Sequence, residues 1–469
     1  MMKSIFIIGA VLYALPFIQK NGNEPTQTFF DGISDAESKA VMIQAEKDIE
    51  KYRTADFKLL FLDEEGKKVD SKKVKLELFA HEFDFGTNTY GLFEKPANDP
   101  IRIEALKTIP EIFNKVVICD YWQDPKTRQR DYKVLEAIKW AQKNDLRMRF
   151  HAVLYNEKWF KNQIYTEDQI WQMIEDRLHF VGETYGDKIG EYDVINEFYS
   201  MQFWERNNPP EDQFILAAPN YPKYREPEVA KKTLSLARKY LPNAKFVVLD
   251  AQHPYLTNPQ FIGYVNYLKA LKSIDGDFQM AGNQDHFFGH TWDFRAGSPT
   301  YGKTAYTMGA INKGFELLGT IGKPIVITEF NGPSRNNKHS PENRDKIWTI
   351  SDKENSAWQI NYYTLAFSKP FIIGVTRWYQ VDNLGGRGMD AGILYEDGRK
   401  HQIYYDLKKL IKETWHTKTE KKTSMNGEVT FHGFYGDYLV DIPGYETVRV
   451  KLYKDGSKTT TVILKKAIK

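Results

Sequence analysis

The sequence predicts an α/β fold: a (β/α)8 TIM barrel with a short N-terminal β extension and a small C-terminal antiparallel β module. Three observations carry that expectation. From residue 83 onward, short β-branched runs alternate with amphipathic stretches. The runs number eight, and a helical stretch follows the last of them. Two of the runs close on a glutamate, Glu197 and Glu329, which suits a fold whose chemistry sits where its strands end. A doubly wound open sheet is the competing architecture. It calls for a glycine-rich phosphate turn after an early strand, and none follows any early run here.

The strand candidates are residues 83–88, 115–119, 147–153, 190–196, 245–250, 277–283, 324–328 and 371–379. Between them, Val134, Ala137, Ile138 and Ala141 keep the i, i+3, i+4, i+7 spacing of a helix face. Phe261, Tyr264, Val265 and Leu268 do the same, as do Ala230, Leu234, Ala237 and Leu241, and Ile403, Leu407, Leu410 and Ile411. Ahead of the barrel, residues 35–52 form a helix rich in Glu, Lys and Ala. Two β runs follow, Phe57-Lys-Leu-Leu-Phe61 and Val74-Lys-Leu-Glu-Leu-Phe79. They flank a charged turn containing Gly66 and read as a hairpin, with Val74, Leu76 and Leu78 on one face. Beyond residue 415, short strands at 428–431, 438–442, 447–453 and 459–464 are separated by Gly and Asp turns. The expected organisation is a leader (1–22), an N-terminal helix and β extension (23–82), the barrel (83–414) and a β module (415–469).

Composition narrows the function classes. The 469 residues are 41% hydrophobic and 27% charged, ordinary for a globular chain with a full core. A net charge of +3 without a long Lys/Arg block argues against a nucleic-acid partner. Neither H-E-x-x-H nor C-x-x-C occurs, so neither a metal nor an organic cofactor is expected. Cys119 stands alone, which rules out an intrachain disulfide. Met-Met-Lys3 followed by an apolar run from Ile5 to Ile18 reads as a secretory signal, so a secreted or periplasmic protein is expected. That run is short for spanning, and no integral membrane span is expected after processing. Aromatic residues make up 14% of the chain. Sugar rings offer C–H faces that stack on such side chains, although a large core uses them too.

The chemistry points the same way. Glu191-Tyr-Asp-Val-Ile-Asn-Glu197 ends the fourth strand and Lys323-Pro-Ile-Val-Ile-Thr-Glu329 the seventh, so in a closed ring both glutamates face one cleft. Glycoside hydrolysis needs two such carboxylates, one to protonate the leaving oxygen and one to attack or activate water. Asn196 adds a donor for a sugar 2-hydroxyl. His151 lies in the third strand. Gln284 and His286 follow the sixth, where His286 is expected to hold the Glu329 carboxylate, and Trp378 ends the eighth as a floor for the sugar. Each of these taken singly is more often a structural strand-end or core residue. Together they read as one pocket for a polysaccharide or oligosaccharide.

Those segments resemble glycoside hydrolase family 10, retaining endo-β-1,4-xylanases with catalytic glutamates on barrel strands four and seven. Asp193-Val-Ile-Asn-Glu197 is similar to the family's acid/base motif, Ile327-Thr-Glu329 to its nucleophile motif and Gln284-Asp-His286 to its Gln-x-His. Gly374-Val-Thr-Arg-Trp378 followed by Asp382 resembles its strand-eight segment, and Leu394-Tyr-Glu-Asp-Gly398 its usual close. Phe83-Asp-Phe-Gly-Thr87 and Phe113-Asn114 fit as well. The tail around Gly433-Phe-Tyr-Gly-Asp-Tyr438 is similar to β modules that end some members. The resemblance implies Glu197 as acid/base and Glu329 as nucleophile, with Asn196, His151, Tyr155, Asn156, Gln284, His286 and Trp378 around the substrate.

The chain also departs from that pattern. Cys119-Asp-Tyr-Trp-Gln123 replaces the family's Glu-Asn pair and lysine after strand two. Tyr155 and Asn156 stand where a Trp and a second His are usual. Leu249-Asp-Ala251 replaces an Asn-Asp-Tyr, and Gly385-Gly-Arg-Gly388 a second tryptophan. The expected function is a secreted retaining β-glycosidase of a β-1,4-linked polysaccharide, with xylan as the default. Two alternatives stay open: the same mechanism on a decorated or non-xylan glycan, and a glycan-binding barrel without turnover.

Overall fold

Eight short strands, five of them built on Val, Ile and Leu, make the wall of the barrel. They are β3 (Asp84–Asn88), β4 (Lys115–Cys119), β5 (Arg147–His151), β6 (Glu191–Asn196), β7 (Lys245–Asp250), β8 (Met280–His286), β9 (Ile325–Asn331) and β10 (Ile372–Arg377). Neighbours pair in parallel throughout, and β10 pairs with β3 to close the ring. The computed structural model describes residues 31–122, 131–155, 165–199, 226–251, 254, 256, 258–287, 306–333, 351–384 and 390–467. The (β/α)8 barrel expected from the alternation is thus the observed fold.

The helices begin where the sequence supplies caps. In α2 (Pro100–Ile112), Asp99 accepts from the N–H groups of Ile101 and Arg102, and proline takes the first helical position. Around the ring follow α3 (Asp131–Lys143), α4 (Glu167–Thr184), α5 (Pro227–Tyr240), α6 (Pro259–Ser273), α7 (Met308–Gly319), α8 (Asp352–Ser368) and α9 (Gln402–Lys409). Reciprocal capping boxes start α4 (Thr166 with Gln169) and α8 (Ser351 with Glu354). The N-terminal helix α1 (Ala36–Arg53) packs on α7 and α8. It is anchored by Arg53, whose buried guanidinium donates to the carbonyls of Phe367, Lys369 and Ile372, each at 2.6 Å.

The two N-terminal β runs do not form a hairpin. β1 (Thr54–Asp63) pairs antiparallel with β12 (Glu428–Phe434) and parallel with β15 (Thr459–Leu464). β2 (Lys73–His81) lies in a second sheet, between β11 (Lys418–Lys422) and β13 (Gly436–Asp441), with β14 (Val448–Leu452) beyond. The extension and the tail therefore share two sheets over one core that includes Phe57, Phe61, Leu76, Val429, Phe431 and Tyr438. A two-stranded ribbon alone is marginal in water, whereas the second set of strands covers each apolar face. Strand β11 escaped sequence reading because Lys418-Thr-Glu-Lys-Lys422 carries no apolar face; it is a charged edge strand.

The sixth barrel strand runs from Met280 to His286, three residues further than expected at its end, so Gln284 and His286 lie within it. Asp277 and Gln279 instead tie down the approach to the strand. Asp277 accepts from Arg238 Nε at 2.7 Å, and Gln279 Oε1 accepts from the Phe246 N–H at 2.8 Å. The polar Gln284-Asp-His286, expected after the strand, pairs with β9 to the end.

Candidate functional site

Two register irregularities aim the site. On β9, Asn283 faces Ile327 while Gln284 faces Glu329, and across the other edge Val375 faces Ile327 while Arg377 faces Phe330. Both neighbours thus skip one residue of β9 at Thr328, a β-bulge. It changes the alternation after Ile327: Glu329 and Asn331 join Gln284 and His286 at the strand ends, while Phe330 turns out to stack on Tyr362 at 4.2 Å. The bulge carbonyl, Thr328 O, accepts from Arg149 Nη2 at 2.7 Å. A similar skip on β6 between Asp193 and Ile195 leaves Asp193 and Asn196 both facing inward. Gly282 lets β8 lie close against its neighbours β7 and β9. A Cβ there would lie 2.5 Å from Leu249 Cβ and 2.7 Å from Thr328 Cγ2.

Glu197 follows β6 with φ of 60°, a left-handed conformation that non-glycine residues seldom adopt. Its N–H is pinned by Leu249 O at 3.0 Å. Its Oε1 accepts from Gln284 Nε2 at 2.9 Å, and the same nitrogen reaches Asn196 Oδ1 at 3.0 Å. Its Oε2 lies 3.2 Å from the Tyr155 hydroxyl. Glu329 is buried, with Oε2 3.2 Å from His286 Nε2 and Oε1 3.6 Å from His151 Nε2. Each histidine is fixed from its other nitrogen: His286 Nδ1 by Asn331 Oδ1 at 2.7 Å, and His151 Nδ1 by Asp193 Oδ2 at 2.8 Å. Trp378 sits beneath, edge-on to His151 at 4.9 Å and to His286 at 6.5 Å between centroids.

The structure therefore brings together Glu197, Glu329, Asn196, His151, Tyr155, Gln284, His286 and Trp378. Asn156 lies outside the described residues, as do residues 385–389 and the leader. Sequence reasoning missed Asp193, Arg149 and Asn331, which orient the histidines and the bulge. Only the period-2 alternation with His151 hinted at Arg149. It also missed Tyr121, noted only as a departure. The half-buried Tyr121 ring lies 5.7 Å from His151, 5.5 Å from Tyr155 and 5.9 Å from Tyr90. With Tyr90 and Tyr155 it makes a phenolic wall.

The field at this mouth is negative. Burial, the Glu329 carboxylate and Asp250 push the Glu197 carboxyl up to about 7, against the opposing pull of the Gln284 hydrogen bond and His286. Burial and Glu329 likewise raise the Cys119 thiol, and burial with Cys119 and Glu329 raises the Tyr121 phenol. A carboxyl poised near neutrality beside a second carboxylate held by two imidazoles can give and take a proton at ordinary pH. Among the described residues no His, Cys, Asp and Glu group has the arrangement of a metal site.

With the geometry in place, comparison with known proteins assigns the chain. Residues 120–406 match the family model of glycosyl hydrolase family 10. The chain belongs to that family. Among solved structures, xylanase 10B from Thermotoga maritima is 16% identical and superposes with a TM-score of 0.52, over 71% of this chain and 96% of that one. A thermostable mutant of the xylanase Xyn10A from Cellvibrio japonicus is 13% identical, with a TM-score of 0.53 over 70% and 97%. At these identities the likeness is one of fold. Among curated sequences, the anti-sigma-I factor RsgI6 of Acetivibrio thermocellus is 22% identical over 412 residues, 86% of this chain. The chain spans about half the length of that relative, 47%. No described helix is long and apolar enough to cross a membrane.

Proposed function

We propose that this family 10 barrel is a retaining β-glycosidase of a β-1,4-linked polysaccharide, with xylan the first substrate to test. The observation that carries the proposal is the pairing itself. Burial and then Glu329 raise the Glu197 carboxyl, while Gln284, the ladder partner of Glu329, donates to Glu197. In this reading Glu197 gives its proton to the glycosidic oxygen as the C–O bond breaks, and the Glu329 carboxylate bonds to the anomeric carbon. Water then delivers a proton to Glu197 and its oxygen to that carbon, releasing Glu329. Retention calls for carboxyl groups about 5 Å apart; the field of Glu329 at Glu197, and Gln284 reaching Glu197 from beside Glu329, support such closeness. Asn196 serves the 2-hydroxyl, Trp378 the sugar face, and His151 and His286 orient Glu329. Export, read from the apolar leader, belongs to the same proposal.

The test is a reducing-sugar assay on xylan and a panel of other β-glycans, with Glu329→Gln as control. Turnover with retained configuration, lost by at least about a thousandfold in the variant, is expected. Activity near wild type in that variant rejects the nucleophile. A second reading, glycan binding without turnover, is favoured by the Cys119–Trp122 departure. Saturable binding with no product from any glycan selects it.

A further inference from the structure

Tyr155 stands where a sugar contact is expected, yet its hydroxyl is directed at Oε2 of Glu197, 3.2 Å away. The other oxygen belongs to Gln284. Its Nε2 lies 2.9 Å from Glu197 Oε1 and 3.0 Å from Asn196 Oδ1. A side-chain amide nitrogen has two hydrogens and no lone pair to offer. With both hydrogens on acceptors, Oε1 accepts one of them, which suits the carbonyl oxygen of the neutral acid, the stronger acceptor of the two. The proton of neutral Glu197 is therefore favoured on Oε2, beside the phenol. A phenol donates as well as accepts, so it can serve Oε2 in either protonation state. The Tyr155 ring is itself held, 5.5 Å from Tyr121, which packs on Tyr90 and His151.

We infer that Tyr155 is a positioning residue for Glu197: it marks Oε2 as the oxygen that gives and regains the proton, and by donating to the ionised form it supports the second half of the reaction. This rests on the acid/base reading of Glu197. In the first step the Oε2 proton moves to the leaving oxygen, and Tyr155 turns from acceptor to donor. In the second a water proton returns to Oε2, and the phenol turns back. The other charged groups facing Glu197 are Glu329 from β9, Asp250 from β7 and His286 from β8. All three act through the field and remain in place when the phenol oxygen is removed.

The experiment compares the full chain with Tyr155→Phe, which keeps the ring and its packing. Carbon-13 NMR follows the Glu197 carboxyl. Kinetics across pH follow xylohexaose, which needs a protonated leaving group, and 2,4-dinitrophenyl β-xylobioside, which does not. Loss of a donor to the ionised form should raise the Glu197 pKa by about one unit and carry the alkaline limb of kcat/KM for xylohexaose upward with it. At the optimum, kcat/KM should fall about tenfold for xylohexaose and stay nearly unchanged for the dinitrophenyl substrate, whose kcat falls instead because deglycosylation limits it. Equal loss of kcat/KM on both substrates with an unmoved titration would make Tyr155 a sugar contact and overturn the inference. Wild-type turnover in Glu197→Gln would bring down the acid/base reading and this inference together. If that variant is dead while Tyr155→Phe titrates as wild type, the inference alone falls.

Discussion

Asp84 and Glu197 are carboxylates at strand ends of one barrel, one at each mouth, and their acidities move in opposite directions. At the N-terminal mouth Lys115 opens β4 and places its ammonium 2.7 Å from Asp84 and against Glu191, while Arg147 reaches Asp84 at 3.1 Å. Burial alone would push the Asp84 carboxyl up, but Arg147, Lys115 and Lys245 hold it below the usual range. At the C-terminal mouth burial acts in the same sense on Glu197, and there the near charge is Glu329, of like sign. Burial is common to both; the sign of the neighbour decides the outcome. One mouth uses its charges to hold strands in register. The other keeps two like charges close, which stabilises nothing and leaves a proton free to move. The division agrees with the general habit of such barrels, stability below and chemistry above.

The largest effect is expected from removing the central cation at the N-terminal mouth. Lys115→Met takes the shared cation from Asp84 and Glu191, leaving Asp84 to Arg147 and Glu191 without the ammonium it contacts, and a loss of about 3–5 kcal/mol is expected in urea unfolding. A loss under about 1 kcal/mol would mean the cluster is solvated rather than structural. At the upper mouth the opposite sign is expected. Glu197 binds its proton more tightly folded, near pH 7, than unfolded, near the usual glutamate value of about 4.3. Its contribution to stability is therefore full at acid pH and is lost as pH rises through 7. Glu197→Gln stays neutral throughout. At pH 8 it should be more stable than wild type by about 2 kcal/mol, less than the full shift implies because the side chain is partly exposed, and no more stable at pH 4. An equal difference at both pH values would show that no strain of like charge exists there.

What could be read in advance follows from the same contrast. The barrel was legible because apolar runs and helix stripes recur on fixed periods. The glutamates were legible because each closes such a run. The bulge at Thr328 was not: Val-Ile-Thr-Glu carries no local mark of an extra residue, and the irregularity appears only against β8 and β10. Nor was the end of β8, whose polar residues look like loop until Glu329 and Asn331 are set beside them. The sharing of sheets between β1, β2 and the tail failed for the same reason. Pairing between strands more than 350 residues apart, Lys58 with Thr430 for instance, leaves no trace in local sequence. Tyr121 was hidden differently. Its residue type departs from the family pattern, so similarity could register only a loss there, while the structure shows a ring in contact with His151.

Histidine gives the mildest version of the contrast. His151 and His286, above, each lie within 3.6 Å of Glu329. His81 closes β2 at the seam between the β module and the barrel floor, where it packs edge-on to Phe85, Phe367 and Phe434 at 5.3 to 5.7 Å. Burial, with Lys412 and His416 nearby, pushes its imidazolium down to about 3. Unfolded, the same ring takes its proton near pH 6.5. Below that value the unfolded chain binds a proton that the folded chain refuses, so stability is full above 6.5 and drains away as pH falls toward 3. Between pH 7 and pH 5.5 the loss should be about 1 kcal/mol. His81→Phe keeps the ring packing and removes the titration, so its urea midpoint should fall less than that of wild type over the interval. If the two midpoints fall in parallel, the seam is open enough to hydrate a charged ring. The floor of the barrel would then tolerate the unpaired charge that the comparison denies it.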